Sequence, residues 1–525
     1  MSIYRVIFCF MLGCSVVSTT LCFPCAAWQQ EESERNSSDR TTSSSSRPYR
    51  IAEETTRIVE PLDADGRIDF YKAVNEVLSH GVTPDNNAAR FIYGTMPDDY
   101  FSAVETKKIR QWIDFDSLPM AFPKFTGLKE FSALDPLDRS NLESLREFVE
   151  KNKDPIDMVI KACQLPEFYF PHVPASNIYR DDSRELPFEN EYEETAAGML
   201  LNWYDGASQQ IRICGRAIKS RAHLRILGQN YAEAWTDILA LRQLGRLLGK
   251  RASDSEAITG SALELMAIES AMELLDHAVA SGHAADLPLQ EMMQEWGTDY
   301  SPYELDMKIE TLRWTWLEVI CVLAEDRLSF SKGLELILNT AVDIPIADEF
   351  VRQSGTTNAM SFDEGMRWGN TFFDRALEVA NTNSLEERLA IYDQLYKRHS
   401  ELEDRYYSSG WSIDFDRTSE ENTKFICGIL LINPAKRVLD MVRHHARQKR
   451  DAKVVTLTLA SILYHNQKGE WPSEFDKLEL ATPDIYIDSL TGDTMKPVFE
   501  NGRFKIRNVS PDSNYLIEFS VDQEK

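Results

Sequence analysis

Asp440 and His444 stand four residues apart in the stretch LDMVRHHARQ, the spacing at which a carboxylate meets an imidazole on one helix face. Such a pair has the makings of a general base with its orienting acid, although the usual outcome of the spacing is a surface hydrogen bond. His444 and His445 are neighbours, about 100° apart around a helix, and make a poor chelate. None of the nine histidines forms an H-x-x-x-H pair of the kind that holds zinc on one helix face.

Asp63, Asp65 and Gly66 copy the middle of a calcium loop. Pro61 and Lys72 then occupy the positions that should supply the first and the bidentate ligand, so the oxygen count collapses and a role at a helix start is the better reading. Asp414 and Asp416 form a D-x-D without further oxygen partners. Glu193-Glu194 and Glu386-Glu387 are adjacent and do not face each other as a hydrolase dyad would. Phe168-Tyr169-Phe170 with His172 is the best candidate for a ligand cleft, set against simple packing under a loop. There is no G-x-S-x-G elbow, phosphate loop, dinucleotide fingerprint or cysteine-protease signature. No catalytic, cofactor-binding or metal residue is therefore assigned.

Charge narrows the partners. The 525 residues carry 57 basic and 84 acidic side chains, a net charge of −27. Such a surface repels phosphate backbones, which excludes nucleic acid as an expected partner. The densest basic stretch, Arg443 to Lys453, reads as the solvated face of a helix. Four of the eight cysteines lie before residue 28, and the others, Cys163, Cys214, Cys321 and Cys427, sit in apolar contexts. Buried free thiols are expected there, while four cysteines leave three disulfide pairings open.

Residues 1–27 have the form of an export signal. Arg5 gives a positive start, Val6 to Val17 is apolar, and Cys25-Ala26-Ala27 suits cleavage before Trp28. Two other readings stand beside it: retention of Val6 to Ala27 as a membrane anchor, and a lipoprotein box at Met11-Leu12-Gly13-Cys14. The body is read as exported, periplasmic or envelope-associated, touching the membrane only through this segment if it is uncleaved. Residues 28–60 form a serine-rich linker with too little apolar surface to offset ordering entropy.

Residues 61–421 read as an α-helical body. Apolar stripes at helical spacing run through Tyr231–Leu248, Leu263–Ala278, Leu312–Leu323 and Met366–Ala380. GQNYAEAW resembles a tetratricopeptide hairpin, but no copy follows about 34 residues later. Breaks at Phe168–Asn190, Thr340–Asp363 and Glu403–Asn422 read as connections between helical layers. Residues 422–525 differ: a helix from about Asn422 to His465 stops at Gly469, and Pro472 prevents its resumption. Asn501-Gly502 is a two-residue hairpin signal, and Tyr515, Ile517, Phe519 and Val521 alternate as a strand.

Tyr464, Gly469, Trp471-Pro472, Phe475, Leu478, Asp488 and Gly492, followed by a hairpin, resemble the globular end of major type II secretion pseudopilins. Asp65–Ala89, Asn152–Pro171, the GQNYAEAW helix and Met366–Leu377 resemble a family of exported planctomycete proteins that join a helical body to such a tail. That resemblance implies a compartment and a fold, mainly α with a small C-terminal α+β module, and no activity. It implies no calcium ligands in this sequence, and Ser489 stands where the related proteins usually have Pro. The leader also lacks the Gly-Phe junction of pilin assembly. Three functions remain open: a non-catalytic scaffold or binding protein with an envelope partner at its tail, an envelope or polysaccharide hydrolase with dispersed carboxylates, and an accessory part of a secretion system.

Overall fold

Asp69 starts the first described helix, α1 (Phe70–Leu78), by accepting a hydrogen bond from the Lys72 amide at 2.9 Å. Phe70, Ala73, Val74 and Leu78 form its buried face, and Gly81, at φ +76°, turns the chain away. Asn87 does the same work for α2 (Ala88–Gly94), accepting from the Ala89 amide. A short polar side chain at each start satisfies an amide that the first turn leaves open. The computed structural model describes residues 47–97, 122–128, 131, 141–174, 195–196, 198–202, 206–250, 254–297, 305–325, 327, 361–382, 384–405, 419–478, 480, 483–500 and 503–508.

Ten more helices follow among the described residues: α3 (Leu142–Lys151), α4 (Lys153–Ala162), α5 (Gly206–Leu227), α6 (Tyr231–Gly249), α7 (Asp254–Ala280), α8 (Leu289–Trp296), α9 (Leu305–Ala324), α10 (Phe362–Asn381), α11 (Leu385–Glu403) and α12 (Ser419–Lys468). A single hairpin, β1 (Met495–Glu500) with β2 (Arg503–Asn508), closes the described chain. The molecule is mainly helical with a small antiparallel sheet, as the periodicity predicts. Among the described residues no helix is long and apolar enough to cross a membrane.

Three apolar cores hold these elements. The first joins α2–α8 and takes Val455, Leu459 and Ile462 from α12. The second joins α1, α9, α10 and α11 to the first half of α12, from Phe425 to Val442. The third is smaller and packs Val454, Leu457 and Ala460 of α12 on Phe475, Leu478, Ile485, Met495, Phe504 and Ile506. Helix α12, 50 residues long, thus contributes to all three. It runs through Pro434 without a break. An interior proline costs a helix about 3 kcal/mol, and burial of Leu430, Leu431, Ile432, Ala435 and Val438 around it offsets that cost. Gly469, at φ +74°, ends it, its amide bonded to His465 O at 2.8 Å.

All four sequence-read stripes face cores, but the helices that carry them bury more than the stripe. On α9, Lys308, Arg313 and Trp314 are buried along with Leu312, Trp316, Val319, Ile320 and Leu323. The hairpin predicted at Asn501-Gly502 is formed, Glu500 pairing with Arg503 across those two positions. The alternation at Tyr515–Val521, the leader, residues 28–46 and most of the three long connections lie outside the described residues.

The α6–α7 contact depends on three glycines meeting, Gly260 of α7 against Gly245 and Gly249 of α6. A Cβ on Gly260 would lie 2.7 Å from Gly245 O and 2.9 Å from Gly249 N, closer than real Cβ atoms approach backbone. Backbone cannot yield as a side chain end does, so the helices must part. Gly260→Ala is expected to cost about 1–3 kcal/mol, the range for overpacking, despite its better helix propensity. Chemical denaturation checks this: unchanged or increased stability would show that the two helices are not held at this spacing.

Candidate functional site

Several residues with chemical promise serve the fold. Phe168 and Phe170 are buried, and the Phe170 ring lies 4.8 Å from that of Tyr93. Asn75 of α1 clamps the segment: its Nδ2 donates to His172 O at 2.6 Å, while its Oδ1 accepts from the His172 amide and the Tyr169 hydroxyl, both at 2.8 Å. Asn87 clamps Tyr169 from the other side, accepting from its amide and donating to its carbonyl. His172 Nε2 is 3.8 Å from Glu256 Oε2, and burial keeps the imidazole neutral, its pKa pushed down to about 3. The aromatic run is a packed strap and not a cleft.

Asp63 accepts from the amides of Asp65 and Arg67 around Gly66, which has φ +71°. It therefore closes a turn, and the residue that starts the helix is Asp69 instead of Asp63 or Asp65. Asp65 is paired with Arg67 at 2.7 Å. Glu386 and Glu387 lie in the first turn of α11, after Ser384, whose hydroxyl accepts from the Glu387 amide. All four body cysteines are buried free thiols. Burial pushes Cys163 and Cys427 up to about 12, which makes them inert. Asp414, Asp416, Glu193 and Glu194 lie outside the described residues. Among the described residues no group of three or more potential metal ligands occurs.

Buried charge is what spacing did not show. Asp237 of α6 is fully buried and accepts from both Arg221, at 2.7 and 3.1 Å, and Arg225, at 2.6 Å, of α5. Arg221 reaches on to Asp157 of α4 at 2.5 Å, and Lys153 holds the other Asp157 oxygen at 2.8 Å. Asp157 also lines an open depression of about 520 Å³ with Phe122, Pro123, Asp154, Met158 and Lys161. A second group lies along α9 and just past its end, where Glu318, Cys321 and Glu325 follow at intervals of three and four residues. The Leu200 amide donates to Glu318 at 2.5 Å, and Glu325 receives Tyr49 and Arg67, each at 2.7 Å. An acidic residue inside an apolar stripe, as Asp237 is between Ala234 and Ile238, is the one signal that could have marked these positions.

The third group lies between α11 and α12 and includes Asp440 and His444. Burial lowers the His444 pKa, with Arg447 next in effect and Asp440 opposing both. Tyr392 and Tyr396 of α11 stack with ring centroids 6.5 Å apart, and Tyr396 is 59% exposed. Tyr392 lies within electrostatic reach of Arg443 and Asp440. Arg443 to Lys453 is not simply a solvated face: Gln448, Arg450 and Asp451 are buried, with Arg450 and Asp451 paired at 2.7 Å. Aromatic, basic and acidic side chains thus meet at this seam.

No family model matches this chain, and no curated protein or solved structure matches it.

Burial raises the Glu318 carboxyl from 4.5 to about 8, the Leu200 amide opposing the shift. The folded protein holds this proton after the unfolded chain has released it, so the stabilisation is complete below pH 4.5 and is lost as pH rises to about 8. The slope from this group is about 1.4 kcal/mol per pH unit. Glu318→Gln removes the titrating group. The stability of the variant relative to the native chain is expected to rise across that window, as read by denaturant titrations at several pH values. Parallel curves would show that Glu318 does not carry a raised pKa.

Proposed function

We propose that this chain is an exported, non-catalytic helical scaffold and binding protein of the cell envelope, and that its C-terminal module docks a protein partner. The observation that carries this reading is the convergence of the pseudopilin-like residues at the end of α12. Trp471 stacks between His465, at 4.4 Å, and Phe504, at 4.8 Å. Phe475 and Leu478 are buried in the same core, with Tyr464 packed at its edge. Asp488 and Gly492 close the adjoining turn: Asp488 Oδ1 accepts from the Leu490 amide, and Gly492, at φ +77°, donates its amide to Asp488 O. A long helix over a small antiparallel sheet is the arrangement that the resemblance implies.

Rigidity also supports a scaffold. The helix that carries the module is bedded in the two larger cores, so the module is held at a fixed place on the body. Several buried carboxylates among the described residues are committed to ion pairs or hydrogen bonds: Asp237 to two arginines, Asp451 to Arg450, and Glu325 to Tyr49 and Arg67. Phe499 projects from β1 with 48% of its surface exposed, an apolar side chain suited to a protein contact.

Affinity capture from envelope extract with the chain lacking residues 1–27 tests the docking role. Phe499→Asp is expected to lose the captured partner, whereas Ile258→Asp, at another exposed apolar position on α7, is expected to keep it. Equal capture by Phe499→Asp and the native chain would refute docking through this module.

A further inference from the structure

The seam between α11 and α12 concentrates positive charge in a chain whose net charge is −27. Three cationic side chains from three helices lie near the buried, neutral His445 of α12: Lys308 of α9, Arg388 of α11 and Lys449 of α12. His445 and Lys449 are four residues apart and share a helix face. Lys308 is only 3% exposed. Arg388 donates from Nη2 to Thr382 O at 2.8 Å, while its Nε is buried without a hydrogen-bond acceptor among the described residues. A buried guanidinium N–H without an acceptor is costly, and an anion is the partner that relieves it best.

Arg388 does not stand alone on its helix. Tyr392 and Tyr396 continue the same line at intervals of four, so the stripe from guanidinium to exposed ring is about 12 Å long at 1.5 Å per residue. That length suits a short oligomer better than a single small ion. Across the seam, exposed Asp440 and Arg443 lie beside Tyr392, and Asp393 lies next to it on α11. Three kinds of recognition are thus set side by side. Cationic groups take anions, an exposed aromatic face takes a flat, weakly polar ring face, and carboxylates accept from hydroxyls. A ligand that offers all three is a sugar chain with acidic substituents.

We propose that the α11–α12 seam binds an acidic glycan, its anionic groups seated on Arg388 and Lys449, with Lys308 adding charge behind them, and a sugar face laid on Tyr396. Single-stranded nucleic acid also pairs rings with anions. Its unbroken line of phosphates is opposed here by Asp393, Asp440 and the overall negative charge, while sugar hydroxyls find acceptors in those same carboxylates. Carboxylated and sulfated glycans present the same chemistry to the seam. The inference is independent of docking through the C-terminal module.

Isothermal titration calorimetry at low salt tests it, with a short, sparsely sulfated dextran as the probe, its charge less dense than that of a phosphate backbone. Unmodified dextran of equal length, inorganic sulfate and a single-stranded oligonucleotide serve for comparison. The native chain is expected to bind dextran sulfate, with inorganic sulfate and the oligonucleotide at least about tenfold weaker and unmodified dextran without measurable heat. Arg388→Gln and Lys449→Gln are each expected to weaken binding about tenfold, and Tyr396→Ala about threefold. Tyr396 and Arg443 are exposed, so Tyr396→Ala and Arg443→Gln decide the matter if a variant at Arg388 or Lys449 loses its native circular dichroism. Absence of dextran sulfate binding, or affinity unchanged in folded variants, would overturn the proposal. So would inorganic sulfate or the oligonucleotide binding as tightly as dextran sulfate.

Discussion

One helix must satisfy three hydrophobic cores, and most of the architecture follows from that demand. Early in its course α12 is buried nearly all round, from Phe425 through Ala435, because helices of the second core enclose it. Further on, the helical repeat divides its apolar residues between opposite faces. Val455, Leu459 and Ile462 point to the first core, while Val454, Leu457 and Ala460 point to the small C-terminal core. The polar residues between those faces are also buried. Thr458 and Ser461 are accommodated because each hydroxyl donates to the carbonyl four residues back, at 2.9 and 2.7 Å.

Charge inside the body follows a related logic. A strongly acidic chain sends arginines inward and matches them with carboxylates from other helices. Arg221 joins Asp237 of α6 to Asp157 of α4, and Arg313 of α9 joins Asp374 of α10. Arg57 also pairs with Asp374, which ties the segment before α1 to the second core. Such pairs add little net stability over apolar packing, but breaking the Arg221–Asp237 pair, buried on both sides, leaves a buried charge and costs about 3–5 kcal/mol. They fix which helices are neighbours. Arg242 does the same with an aromatic partner, its guanidinium 3.9 Å from the Trp296 ring centroid, while Trp296 Nε1 bonds to Ala452 O of α12 at 3.1 Å.

Much of this is legible in the sequence because it is local. Stripes at helical spacing, Gly469 as a stop and Asn501-Gly502 as a hairpin turn each depend on a few neighbouring residues. What stays hidden depends on groups far along the chain. Lys308, Arg313 and Glu318 look like the solvated residues of α9 until the helices around it are in place. The Phe168–His172 run looks like a cleft until Asn75 and Asn87 are seen clamping its backbone. Asp69 starts α1, although the D-x-D-G pattern just before it draws more attention. The α11–α12 seam eludes spacing rules for the same reason: Arg388, Tyr392 and Tyr396 are evenly placed on one helix, but their basic partners come from two others.

The central claim is that a single coil passing through every apolar interior makes the described body unfold as one unit, and native-state hydrogen exchange measures this directly. Amides at Leu430–Val438 and at Val455–Ile462 are predicted to open with the same free energy and the same denaturant dependence. Openings separated by several kcal/mol would mean that the two large cores unfold separately, and the account would fail.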